Sequence, residues 1–382
     1  MRRVALLIET SRAYGRDLLK GVRRYSTENG SWSLFVEVRD LESKPPPWLK
    51  SWDGDGILTR SGSSTIAAAV KRAGVPAVEL RSTRKGRAFP FVGVDNDAVG
   101  QLVAQYFLDR GFRHFGVYSL DSEQFLVDRR NSFVEALRRS GIECSEYRQH
   151  GPSERPSEWE SQQAGLAKWI GQLPQQSAVM ACTDLLGCWF LDACRRSGVR
   201  VPQDVAVVGV ENDRTITTMS TPELSSVCLP GERIGYEAAG VLDRMMQGEK
   251  APEEPLLLKP ICVESRLSSD TLAIEDPLIS EAIQLIHEKA ATGLNVADVL
   301  AVVPISRSSL ERNCRRIIGR SPNEEIVRVR IGIVCKLLRE TDLTLEVVAE
   351  RAGFSTSQYM LHVFRNEMGM TPGMYRRQQF AD

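Results

Sequence analysis

Carboxylates, amides and arginines gather directly after a series of short apolar runs. Glu9, Arg12, Tyr14 and Arg16 follow residues 4–8, and Asp95 and Asn96 follow residues 91–94. Thr183 and Asp184 follow residues 178–181, while Glu211, Asn212 and Asp213 follow residues 205–210. If these runs are parallel strands, the polar groups stand at their carboxyl ends, where open α/β sheets bind ligands. Asp and Asn accept hydrogen bonds from hydroxyls, Arg and Asn donate them, and an aromatic face such as that of Tyr14 covers C–H groups. That chemistry suits a neutral polyol. The sequence holds no Gly-x-Gly-x-x-Gly and no phosphate-cradling Gly-x-x-x-x-Gly-Lys-Ser/Thr, which argues against a dinucleotide or phosphate ligand. Asp95, Asp184 and Glu211 also have a plainer reading as helix caps, Asp184 above all because it directly precedes a helical run.

A second constellation lies near the C-terminus. Residues 294–322 and 343–372 read as two helix-turn-helix units, an internal repeat. Ile305 and Phe354, each a turn hydrophobe followed by serine, are 49 residues apart, and the units close on Gly319-x-x-Pro322 and Gly369-x-x-Pro372. Asn295, Ser306 and Thr344 are expected to cap helices, and Ser355 to open the last one. In the first unit Val296, Val299, Leu300, Val303, Leu310, Cys314, Ile317 and Ile318 face inward. In the second, Leu345, Val348, Ala349, Ala352, Tyr359, Val363 and Phe364 do so. Arg307, Ser308, Glu311, Arg312 and Arg315 are then left outward on one helix, and Thr356, Ser357, His362 and Arg365 on the other. A helix of this size fits the major groove, where Arg pairs with guanine and Ser or Thr with bases or phosphates. Seven arginines against three glutamates between Arg307 and Arg330 form a plausible phosphate footprint, although the whole chain has zero net charge.

The elements that must position these groups are legible as alternation. Residues 4–8, 34–38, 55–58, 77–80, 91–94 and 115–118 read as strands, with helices at 16–29, 66–73 and 98–109. The pattern restarts after Tyr118, with helices at 125–139, 159–173, 185–197 and 235–247 around strands at 178–181 and 205–210. Two successive parallel-sheet units imply two lobes with a cleft between them. Short strands at 256–260 and 261–265 precede a polar, proline-broken stretch at 265–280. The expected fold is therefore a two-lobed α/β core with parallel sheets over residues 1–270, followed by an all-α tandem helix-turn-helix domain over 271–382. The boundary falls near 268–276.

Length and composition agree, since 382 residues suit two or three domains of ordinary globular make-up. No apolar run approaches membrane-spanning length. The basic, then apolar start reads as a first strand and not a signal peptide, because Glu9 ends the run. Eight scattered cysteines without a Cys-x-x-Cys pair suggest free thiols in a cytoplasmic protein with no metal site. No cofactor motif and no catalytic set is present, and the four histidines, at 114, 150, 287 and 362, make no constellation. A sugar-processing hydrolase with paired carboxylates is the rival reading, and the attached repeat favours binding without turnover.

Residues 349–377, with Gly353, Phe354, Tyr359, Phe364, Gly369, Pro372, Tyr375 and Arg376, resemble the AraC/XylS-family DNA-binding domain. The first repeat departs from that pattern, with Pro304 where glycine is usual and Cys314 where phenylalanine is. Residues 92–118 and 204–227 resemble the LacI/GalR-type regulator core, itself similar to periplasmic sugar-binding proteins, without that family's N-terminal helix-turn-helix. The resemblance implies sugar contacts at Asp184, at the acidic position Glu211–Asn212 (where aspartate is more usual than Glu211), at Arg129 or Arg130, and in the Arg12–Arg16 loop. The hybrid order implies a homodimeric regulator that binds operator DNA, answers to D-xylose or a related monosaccharide, and activates transcription with RNA polymerase as a partner.

Overall fold

The run 4–8 is fully buried, as a strand covered on both faces must be. It lies within a computed structural model that describes residues 1–379 apart from 31, 42, 61–63, 82–87, 150–158, 272, 273 and 275. His150 and part of the expected boundary at 268–276 lie outside the described residues. The chain divides into two compact units, Met1–Thr271 and Leu272–Asp382.

The first unit opens with β1 (Arg3–Leu7), α1 (Ala13–Asn29), β2 (Ser33–Val36), β3 (Gly56–Thr59), α2 (Ser64–Ala73), β4 (Ala77–Glu79) and β5 (Val92–Val94). It continues through α3 (Asn96–Leu108), β6 (His114–Leu120), α4 (Gln124–Arg139), β7 (Cys144–Gln149), α5 (Trp159–Ile170), β8 (Ser177–Ala181) and α6 (Asp184–Arg196). It ends with β9 (Val205–Glu211), α7 (Arg214–Met219), β10 (Ser225–Cys228), α8 (Gly231–Met246), β11 (Leu256–Leu258) and β12 (Cys262–Glu264). One sheet has the order β2-β1-β3-β4, all parallel, and β5 joins its edge through a bridge from Phe91 to Glu79 before pairing with β11. The other has the order β12-β10-β9-β8-β6-β7, parallel except for the β10–β12 pair.

The two lobes are present, but they are not successive halves of the sequence. β6, expected to close the first unit, lies inside the second sheet, and α8 packs back on α1, β3, β4 and β5. The chain therefore passes between lobes three times, at Asp95, at residues 229–230 and at residues 259–261. Alternation of strands and helices reports the layers; it carries no record of which sheet a strand joins. β7 and α7 escaped the sequence reading because both are polar, and β10, SSVC, because half of it is serine. Helices α1 and α8 meet backbone to backbone: a Cβ on Gly21 would lie 1.9 Å from Glu232 O, and one on Gly235 2.0 Å from Leu18 O.

The second unit is all helical: α9 (Pro277–Lys289), α10 (Val296–Val302), α11 (Arg307–Ile318), α12 (Pro322–Glu340), α13 (Leu345–Arg351), α14 (Ser357–Met368) and α15 (Pro372–Gln379). Two apolar clusters hold it. Ile279, Ile283 and Ile286 of α9 pack with Val299, Leu310, Cys314 and Ile326, and Val334 and Leu338 of α12 pack with Val348, Phe354, Met360 and Phe364. Asn295 and Ser321 form capping boxes with Asp298 and Glu324, and the Ser306 hydroxyl accepts from Ser309 N–H. Thr344 occupies an N-cap position without a side-chain cap bond.

The repeat carries an offset of one residue. Thr356, not Ser355, caps α14, accepting from Tyr359 N–H at 3.1 Å. Ser355 is thus an extra residue in the second turn, and positions in α11 and α14 correspond at a spacing of 50. Leu310 then matches Met360 and Cys314 matches Phe364, all four buried. Tyr359, expected inward, is 46% exposed, because the added residue rotates it off the inner face.

Candidate functional site

Five side chains from both lobes converge at the carboxyl ends of the strands. Glu9 follows β1, Tyr14 lies in the first turn of α1, and Arg60 follows β3. Arg129 comes from α4, and Glu211 ends β9. Glu9 and Arg60 form a buried ion pair, and the Arg60 guanidinium lies 4.9 Å from the Tyr14 ring centroid. Arg129 donates to Asn96 Oδ1 at 2.9 Å and to Cys182 O at 2.8 Å, and its Nη1 is 3.7 Å from Glu211 Oε1. Burial pushes the Tyr14 phenol up, with Arg60 and Arg129 opposing and Glu9 and Glu211 adding to the rise. Burial lowers Arg129, with Glu211 pulling back up. For Arg60 the burial penalty is outweighed by Glu9, Tyr14 and Glu211, so its pKa rises. Glu9 Oε2 and Arg60 Nε, both buried, have no hydrogen-bond partner among the described residues. Two carboxylates and two guanidiniums make the cluster charge-balanced.

The turn that presents Glu211 is strained. Glu211 has φ +114° and Asn212 φ +51°, values that non-glycine residues rarely adopt. Asp184 holds it in place: its Oδ2 accepts from Asp213 N–H at 2.7 Å and its Oδ1 from the Ser226 hydroxyl, whose oxygen in turn accepts Asn212 N–H at 3.0 Å. Burial pushes the Asp184 carboxyl well above the ordinary range, with Ser226 and the Asp213 N–H opposing. Asp213 caps α7 and also reaches across the cleft, accepting from Ala13 N–H at 3.4 Å. Arg81 of the first lobe pairs with Glu123 of the second.

Several residues singled out from sequence stand elsewhere. Thr183, not Asp184, caps α6, because its hydroxyl accepts from Leu186 N–H. Asp95 caps α3 through Ala98 N–H. The first helix starts three residues earlier than its periodicity suggested, so Arg16 lies on its exposed side and donates to Thr10 O. Arg12 is the half-buried residue before that helix. Arg130 is committed to Asp121 and, at 3.6 Å, to Glu146, away from Arg129's partners. Asn212 accepts from Arg266 at 2.7 Å. Arg60 is absent from the residues picked from sequence, although it stands two positions past the run 55–58 and directly after β3, so the strand-end rule that selected the others reaches it too.

On the second unit, Arg307, Ser308, Arg312 and Arg315 are exposed along α11, with Glu311 half-buried. On α14, His362 and Arg365 are exposed at the positions equivalent to Arg312 and Arg315, and Ser357 is half-buried. Thr356 spends its hydroxyl on the cap. Gln358, Leu361 and Asn366 share that exposed face and were hidden by the unrecognised offset. Arg330 ties the unit together, donating to Ala290 O and Leu294 O. Glu325 gathers His287 at 2.7 Å, Arg328 at 2.7 Å and Arg320 at 3.3 Å. Burial alone would raise it, but the His287 and Arg328 contacts bring it down to about 2. Its contribution to stability is complete above the ordinary value of 4.5 and is lost as pH falls from there towards 2. Acid titration of the unfolding free energy of this second unit, the DNA reader, should lose on the order of 3 kcal/mol in that window through this group. Glu325→Gln should flatten that part of the profile.

Three family models match in succession: the XylR N-terminal domain over residues 3–97, the periplasmic binding protein-like domain over 104–269, and a helix-turn-helix domain over 287–378. The chain is 28% identical over 382 residues to the xylose operon regulatory protein of Haemophilus influenzae, covering 98% of each chain. It is also 28% identical to the protein of that name from Escherichia coli K12, covering 98% of this chain and 96% of the relative. A solved structure described as the xylose-binding transcription activator xylR superposes with a TM-score of 0.78 at 26% identity, over 98% of both chains. The chain is a sugar-responsive transcriptional regulator. It binds DNA through its helix-turn-helix unit and is not an enzyme, as these likenesses indicate. The AraC/XylS membership expected from residues 349–377 is corrected by the same matches, which support a LacI/GalR-type regulator resembling XylR, not an AraC-family one. The reader is a short module, whereas the likeness that spans the chain is dominated by the sensor. Among the described residues, no helix is long and apolar enough to cross a membrane.

Proposed function

We propose that the regulator answers to D-xylose or a closely related neutral monosaccharide, held by Glu9, Arg60, Tyr14, Arg129 and Glu211. The observation that carries this is the charge-balanced buried cluster with Glu9 Oε2 and Arg60 Nε unpaired. A buried carboxylate oxygen and a buried guanidinium N–H that each lack a hydrogen-bond partner are costly unless a ligand supplies one. Sugar hydroxyls donate to the first and accept from the second without adding net charge. The relatives' names point to xylose. Asp184 and Asn212 act by holding Glu211 in place, and Asp95 by capping α3. A thermal-shift panel of pentoses, hexoses, polyols and sugar phosphates tests the reading, because a ligand of the folded state raises its stability. D-Xylose should give the largest shift; a sugar phosphate giving it would overturn the neutral-ligand assignment.

The reader places α11 and α14 against operator DNA, and the regulator works as a homodimer that activates pentose-utilisation genes with RNA polymerase. Arg307, Arg312, Arg315 and Arg316 make α11 the more basic helix, whereas α14 carries only Arg365 and His362. Arg315→Ala should weaken specific and nonspecific DNA binding together and lower the salt slope by about one. Thr356→Ala should change operator affinity less, since its hydroxyl serves the cap. Salt-dependent binding curves read both, and a silent Arg315→Ala would assign the contacts to α14 alone.

A further inference from the structure

Cys228 and Cys262 face each other across the antiparallel β10–β12 pair, Cys228 being the last residue of β10 and Cys262 the first of β12. Glu264 stands two residues beyond Cys262, on the same face of its strand. The two sulfurs and a Glu264 oxygen all lie within 4.8 Å of one another. Cys262 is exposed, and Cys228 and Glu264 are half-buried, so the group is open to solvent on one side and backed by the sheet on the other. Asn212 Nδ2 donates to Cys228 Sγ at 3.2 Å.

We propose that Cys228, Cys262 and Glu264 form a site for a thiophilic divalent cation, with Zn2+ the best fit. Two thiolates and one carboxylate are a borderline-soft donor set, and three protein ligands leave a fourth position for water. Strand register brings the donors together without rearranging the backbone. Deprotonation of the thiols accompanies binding, so affinity rises with pH.

The position gives the site a consequence. Residues 229–230 and 259–261 are two of the three crossings between lobes, and each starts or ends at one of these cysteines. A bound cation ties the two crossings together at their roots in the second lobe. It also pulls on Cys228, whose sulfur contacts Asn212, the neighbour of Glu211. The metal therefore biases lobe closure and, with it, sugar affinity. This last step rests on the proposed sugar site; the metal site itself does not.

The test uses the full-length reduced chain in metal-free buffer. Zn2+ is titrated against a chromophoric chelator, and Cd2+ is followed by its thiolate charge-transfer absorption. One equivalent per chain is expected. Cys262→Ser and Glu264→Gln should each weaken binding by at least about tenfold, while Cys335→Ser should leave it unchanged. Sugar affinity should shift with Zn2+ in the wild type and not in Cys262→Ser. Absence of a stoichiometric site, or a site indifferent to Cys262→Ser, overturns the proposal. So does a protein isolated with two fewer free thiols that reductant restores, which would make the pair a disulfide. Metal binding without any shift in sugar affinity overturns the coupling and keeps the site.

Discussion

Arg129→Met should lower the sensor's sugar affinity by at least about a hundredfold, close to 3 kcal/mol. Arg129 joins three segments of the chain, touching Asn96, the Cys182 carbonyl and, through charge, Glu211. Methionine keeps much of the stem's packing and removes the guanidinium. Glu211 then loses the Arg129 charge, on a turn already strained, and its displacement removes the proposed sugar acceptor. Calorimetry with D-xylose reads the loss, and operator binding without sugar should survive because the reader is untouched. Arg130→Met provides the contrast, since Arg130 pairs with Asp121 and Glu146 instead. Equal losses in both variants would mean the effect is on the stability of α4, and unchanged affinity in Arg129→Met would move the sugar site elsewhere.

Gly353→Val should abolish operator binding by unfolding the reader. Gly353 has φ +77°, and a Cβ there would lie 2.4 Å from Ala290 O, the same carbonyl that accepts from Arg330. A β-branched residue thus meets a forbidden backbone conformation and a rigid backbone atom together, a cost of roughly 3 kcal/mol or more. Gly369→Ala is the control. Its φ is +69°, but nothing lies within 4 Å of the added Cβ, so only the left-handed penalty of about 1 kcal/mol applies. Gel shifts and thermal unfolding separate the two, with sugar binding by the sensor intact in both. Native operator affinity in Gly353→Val would show that the turn repacks freely.

Much of this was written in local patterns. The buried run at 4–8, the caps at Asn295 and Ser306, and the inward spacing of Leu310, Cys314 and Ile318 follow from short-range periodicity and propensity. So did the strand-end rule that led to Tyr14 and Glu211. What was not legible depends on contacts far apart in sequence. Asp184 reads as a ligand residue or a cap until Asp213 and Ser226 are seen to occupy it. Arg130 and Arg129 are neighbours in sequence, yet Arg129 reaches Asn96, Cys182 and Glu211 while Arg130 reaches Asp121 and Glu146. The one-residue offset at Ser355 hid the equivalence of Arg312 with His362, because the match of Ile305 with Phe354 is real but does not extend past the turn.

The three crossings between the lobes constrain how such a protein can be inherited. Each lobe is assembled from stretches that interleave along the chain, so no single excision yields either lobe whole. A recombination event within Met1–Thr271 would join β11 or α8 to a sheet that had not grown up with them. The reader, by contrast, is one uninterrupted piece. Exchange at its border can deliver a new operator specificity to an old sensor, or a new sensor to an old operator, while the two lobes must change together by point substitution. The sugar a lineage recognises should therefore drift by residues such as Glu211, and the genes it controls can change in a single step.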